Sequence, residues 1–88
     1  MWLVNTTDEE CYIAVNMARV TALDVNDYSS LIAYTGDHHG IPVAKVPGRS
    51  VGVSLVAAIL EAMRTTGGDA EGLFRVDKWL ERNAQEED

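Results

Sequence analysis

The chain has a single cysteine, Cys11, so it closes no internal disulfide and offers no four-cysteine zinc site. Cys11 opens a β-rich run and reads as a small sheet residue in a reducing compartment. Prolines number only two, Pro42 and Pro47, and no repeat or low-complexity tract divides the 88 residues. One domain is therefore expected. The longest apolar run, Leu55 to Leu60, is far shorter than the roughly 20 residues a bilayer-spanning helix needs. The first residues carry neither basic side chains nor a long apolar stretch, so no signal peptide is expected and the location is read as cytoplasmic. Basic residues are scarce, 7 against 14 acidic, for a net charge of −7. That balance disfavours bare nucleic acid and anionic membrane, and suits a basic protein partner or simple solubility. Neither G-x-G-x-x-G nor Gly-Lys-Ser/Thr occurs, which removes the dinucleotide and phosphate-loop fingerprints. The segment Val46–Ser54 is accordingly read as a plain strand-to-helix turn.

What is present is apolar content of 47%, enough for one core. A chain this long buries roughly 60–65% of its unfolded surface. The clearest element is Ser50–Thr66. Leu55, Val56, Ile59, Leu60 and Met63 recur at i, i+1, i+4, i+5 and i+8, which predicts a helix with that face buried. Ser50 or Ser54 is expected to cap its start, and Gly67 to end it in a left-handed turn.

Upstream, β-branched and aromatic runs predict strands at Met1–Val4, Cys11–Val15, Arg19–Val25, Ser30–Thr35 and Ile41–Val46. Asn16-Met17-Ala18 reads as a bulge or tight turn, with Asn16 best suited to a positive φ. Pro42 cannot donate to a ladder, which places Ile41–Val46 at an edge or turns its N–H away. Downstream, Leu73, Val76 and Leu80 are helically spaced. The same stretch also allows a short strand at Leu73–Val76 followed by a helix from Asp77.

The expected architecture is α+β: an antiparallel meander of about four strands covered by one long helix, plus a short C-terminal helix. The sheet spans 1–47, the main helix 50–66, the second helix 69–85, and 86–88 is a frayed tail.

The only cluster of metal-capable side chains is Asp37-His38-His39. Adjacent histidines on extended backbone point to opposite faces, so His38 and His39 are weak metal candidates, and no metal or cofactor is expected. Cys11 sits at no helix start that would lower its pKa, and no carboxylates have a spacing that implies a shared acid–base cleft. No enzyme activity is expected.

Charge is unevenly spread. From His38 to Leu60 there is no acid, only Lys45 and Arg49, for +2; the remaining 14 acidic and 5 basic residues give −9. Such asymmetry suits a protein interface. Interaction candidates are the acids Asp8, Glu9, Glu10, Asp24, Asp27 and Asp37, with Tyr28 as an exposed aromatic anchor and Arg49 at the helix start.

Residues 10–60 resemble the small FlbD-type flagellar-regulator family. The matching pieces are Ile13-Ala14-Val15-Asn16, Arg19-Val20-Thr21-Ala22-Leu23, Leu31–Thr35, the Gly36/Gly40 turn, Ile41–Val46 and the helix from Ser50. The resemblance implies strands in a hairpin order followed by a covering helix. This chain departs from it in Pro42, in the longer Gly-Asp-His-His-Gly turn, in Val46-Pro47-Gly48-Arg49, and in the tail from Gly67. In size and acidity the chain is also similar to phage-encoded anti-CRISPR-type inhibitors.

The function expected is a small acidic protein-binding module, an inhibitor that occupies a basic or nucleic-acid-binding site on a protein partner. The alternative is a homodimeric regulatory or assembly module of the flagellar-regulator type, joined through a strand edge.

Overall fold

Six strands divide between two sheets in the computed structural model, which describes residues 1–5, 13–26, 29–36 and 39–83. In the first sheet β1 (Trp2–Asn5) is central. It runs antiparallel to β2 (Ile13–Asn16), with Leu3 opposite Val15. On its other side it runs parallel to β6 (Leu73–Arg75), with Leu3 opposite Phe74. The second sheet is an antiparallel meander in the order β3 (Val20–Val25), β4 (Ser30–Thr35), β5 (Gly40–Lys45). Two helices complete the fold, α1 (Arg49–Thr65) and α2 (Val76–Asn83).

The expected four-strand meander under one long helix is therefore corrected. Local pairing of β1 with β2 and of β3 with β4 and β5 follows from short connections. The break between the sheets comes at Met17–Arg19, a 3-10 turn that carries the chain from the first sheet to the second. Asn16 shapes this turn without a positive φ: at φ −77° its side-chain oxygen accepts from the Ala18 N–H at 3.0 Å. Pairing of β1 with β6 joins the two ends of the chain, and no local pattern announces such a contact.

The tail takes the strand-then-helix arrangement, so the single helix expected over 69–85 is replaced by a turn, β6 and α2. Asp69 makes the turn. Its carboxylate oxygen accepts from the Glu71 N–H at 2.8 Å and the Leu73 N–H at 3.1 Å. Those bonds, from Leu73 first and Glu71 second, hold the Asp69 carboxyl below its ordinary pKa against a smaller opposing effect of desolvation, and Arg75 lowers it further. Gly68 and Gly72 lie on either side at φ +108° and +76°, a region costly to residues with a Cβ.

One core serves both sheets. Leu3, Val15, Leu31, Val43, Leu55, Ile59 and Val76 form a single buried cluster drawn from β1, β2, β4, β5 and both helices. Burial of each such side chain is worth about 1.5–3 kcal/mol. Asn5 is the polar link between the sheets. Its Nδ2 donates to the Val43 carbonyl at 2.7 Å, in a buried position. Val43 falls where the β4–β5 register shifts, between Ala44 opposite Leu31 and Pro42 opposite Ile32. Its carbonyl is thus met by a side chain of the neighbouring sheet.

The long helix is present but rolled about its axis. Val51, Gly52, Leu55 and Ile59 are buried, Val56 is half-buried, and Leu60 and Met63 are exposed. Gly52 sets the roll, because the missing side chain lets α1 settle against Val25 and Val46. The start is capped by Gly48 backbone with no side-chain bond, so neither Ser50 nor Ser54 caps it. Gly67, at φ +72°, ends it as expected, its N–H donating to the Ala62 carbonyl at 2.7 Å. Among the described residues no helix is long and apolar enough to cross a membrane.

Candidate functional site

The site is built from the edge strand of the meander and the helix lying over it. Among the described residues β3 is hydrogen-bonded to one strand only, β4. The Asn26 N–H donates to the Ser30 carbonyl at 3.0 Å, and Asn26 continues the register in which Asp24 opposes Ile32 and Ala22 opposes Tyr34. In an antiparallel ladder such residues alternate with ones that turn their backbone outward. Leu23 and Val25 therefore present N–H and C=O groups toward the open edge.

Alongside this edge runs a groove of about 330 Å³, lined by Leu23, Asp24 and Val25 from β3 and by Arg49, Val53, Val56, Ala57 and Leu60 from α1. The helix residues recur at i, i+4, i+7, i+8 and i+11, a second stripe beside the buried one. Val53 is 57% exposed and Leu60 54%, and Met63, at 42%, extends the stripe toward the end of the helix. Exposed large apolar side chains are uncommon in this molecule: among the described residues the other is Trp2. Their concentration beside an open strand edge marks a surface that a polypeptide could cover.

Two residues expected from the sequence, Asp24 and Arg49, are exposed and line this same groove. The other expected contacts, Asp8, Glu9, Glu10, Asp27, Tyr28 and Asp37, lie outside the described residues, as do Cys11 and the metal candidate His38. His39 is exposed just before β5, its backbone carbonyl accepting from the Thr35 N–H at 3.1 Å. No group of three or more potential metal ligands forms among the described residues.

Val53, Leu60 and Met63 are the site residues that sequence reasoning missed. Their spacing with Leu55 and Ile59 places Leu60 and Met63 in the core, whereas both are exposed. The signal was there, since apolar residues occupy more of α1 than one stripe can bury.

Two larger hollows lie elsewhere. One, about 550 Å³, opens between β5 and α2, with Pro42, Val43 and Leu80 as walls and the buried polar residues Asn5 and Asp77 at its side. Another, about 510 Å³, lies between the end of α1 and α2 and includes Asp69, Arg75 and Trp79. Neither is lined by any of the exposed large apolar residues named above.

No protein-family model, no curated protein and no solved structure matches the chain.

Proposed function

We propose that the chain is a small non-enzymatic protein-binding module that docks a polypeptide on the face formed by β3 and α1. The observation that carries this reading is the exposed stripe Val53, Leu60 and Met63 beside the outward-facing backbone of Leu23 and Val25. An added strand would meet main-chain donors and acceptors at the edge and apolar side chains in the groove. The expectation that acidic loops occupy a basic site rests mainly on residues outside the described set. Asp24, the one acid named for it among the described residues, lines this groove together with Arg49.

The test compares capture of polypeptides, an untagged copy of this chain included, by immobilised wild type, Leu60→Glu and Lys78→Ala. Lys78 is exposed on α2, outside the groove. Capture by Leu60→Glu should fall at least tenfold with the fold intact by circular dichroism, while Lys78→Ala matches wild type. Capture indifferent to Leu60→Glu overturns the reading.

A further inference from the structure

We infer that the hollow between β5 and α2 is a second binding site, and that its ligand is a small organic amine: an apolar body held between the two elements, with an ammonium group directed at Asp77. The site shares no residue with the groove between β3 and α1. Its size, its walls and its buried polar groups each narrow the occupant.

Size comes first. At about 550 Å³ the hollow falls within the roughly 300–1,000 Å³ usual for small-molecule sites. A polypeptide strand fits it poorly. The Val43 carbonyl is already engaged by the Asn5 side chain at 2.7 Å, and Pro42 has no N–H to donate, so β5 offers little main chain to a new strand.

The walls set the body of the ligand. β5 contributes Pro42, Val43 and Ala44, α2 contributes Leu80, and β2 contributes Ile13. Such a surface takes hydrocarbon and leaves a polar group without partners.

The buried polar groups set the head. Among the described residues only two polar side chains are buried, Asn5 and Asp77, and both line this hollow. Asp77 is 7% exposed and stands in the first turn of α2. Leu80 and Glu81, three and four residues on, share its face of the helix. A carboxylate has about four lone-pair sites, so Asp77 can accept from a ligand beside the contact it already makes. Lys45 and Glu81 are exposed at the rim and opposite in charge. With Asp77 included, the lining holds one lysine and two acids and sums to −1. Donation from an ammonium to a carboxylate is stronger than donation from a neutral group, and a second carboxylate is repelled. The hollow therefore selects an amine over an alcohol, and an alcohol over an acid.

The experiment titrates hexylamine, hexanol and hexanoate, one hydrocarbon body with three heads, into the full 88-residue chain near neutral pH and follows backbone amide shifts by NMR. Hexylamine should move the amides of Val43, Ala44, Asp77 and Leu80 and bind at least tenfold more tightly than hexanoate, with hexanol between them. Asp77→Asn should bring hexylamine down to the level of hexanol and leave hexanol binding unchanged, a pattern that damage to the fold would not give. Glu61→Gln removes an equal charge from the exposed surface of α1, outside the hollow, and should change nothing. An equal loss in that variant means a general attraction to an acidic chain and overturns the inference. Leu80→Trp should fill the hollow and abolish binding of all three probes. If Asp77→Asn does not fold, the three heads on wild type still decide. Hexanoate binding as tightly as hexylamine, or no shift at the hollow with any probe at tens of millimolar, overturns the inference.

Discussion

Gly52 of α1 rests on Val25 of β3 so closely that a Cβ added to the glycine would lie 2.8 Å from one methyl carbon of the valine and 2.9 Å from the other. Val46 closes the same space from a third side at 3.2 Å. This contact decides which way the long helix faces, and so which of its two apolar stripes is left outside. Replacing Gly52 with Ala sets two effects against each other. Helix propensity favours alanine by about 1 kcal/mol, whereas forcing a methyl into a filled space costs about 1–3 kcal/mol. Valine is stiff at χ1 and yields poorly, so the steric cost should win. We expect Gly52→Ala to lower unfolding stability by about 1 kcal/mol in urea titrations. Val25→Ala makes room for the methyl, so the double variant should be less destabilised than the two single losses added together.

The roll of α1 is checked by a pair of leucines. Leu55 is fully buried and Leu60 is exposed, although both belong to the face that periodicity assigns to the core. Leu55→Ala should cost about 2–5 kcal/mol through lost burial and a residual cavity. Leu60→Ala should change stability by less than about 1 kcal/mol. Equal losses, read from urea midpoints, would put the helix in the wrong orientation.

Asn5 is expected to behave as a fastener between the sheets. Substitution by Ala removes the donor from the Val43 carbonyl and leaves that oxygen buried among apolar neighbours. A buried acceptor without its partner costs about 1–3 kcal/mol. Asn5→Asp should be worse near neutral pH, because it sets a carboxylate oxygen against the carbonyl in place of a donor. Thermal melts of the two variants test the order.

Asp69 predicts a pH dependence. Its carboxyl has a lower pKa in the folded chain than the ordinary 3.8, chiefly because the Leu73 and Glu71 N–H groups donate to the ionised form. A depressed carboxylate contributes stability that is present above the unfolded value and is lost as pH falls through the folded one. Wild type should thus be more stable than Asp69→Asn above pH 3.8, with the difference shrinking below it. The group is solvent-exposed and the effect is accordingly small. Denaturant titrations of both proteins between neutral pH and pH 2.5 give the comparison.

Much of the local structure was legible because it depends on neighbours in the chain. The strand at Ser30–Thr35 was read to its ends, the helix at Ser50–Thr66 to within a residue, and Gly67 as its stop, since apolar period and glycine chemistry act over a few residues. The site was half legible. Arg49 and Asp24 could be chosen by charge, whereas Val53, Leu60 and Met63 could not be told from core by spacing alone. Two apolar stripes share α1, and periodicity counts them without saying which one meets the sheet.

By itself the sequence determined an acid-rich chain of the α+β class, most of its strands and the long helix, and an acid-free window around Arg49. Tertiary structure alone decided that the strands form two sheets, because β1 is paired with β6 from the far end of the chain. It alone decided the face of α1, because the closest approach of Gly52 to Val25 is a contact between residues 27 positions apart (52 − 25 = 27). Both decisions turn on which distant surfaces fit together, a property of the assembled core and of no single segment.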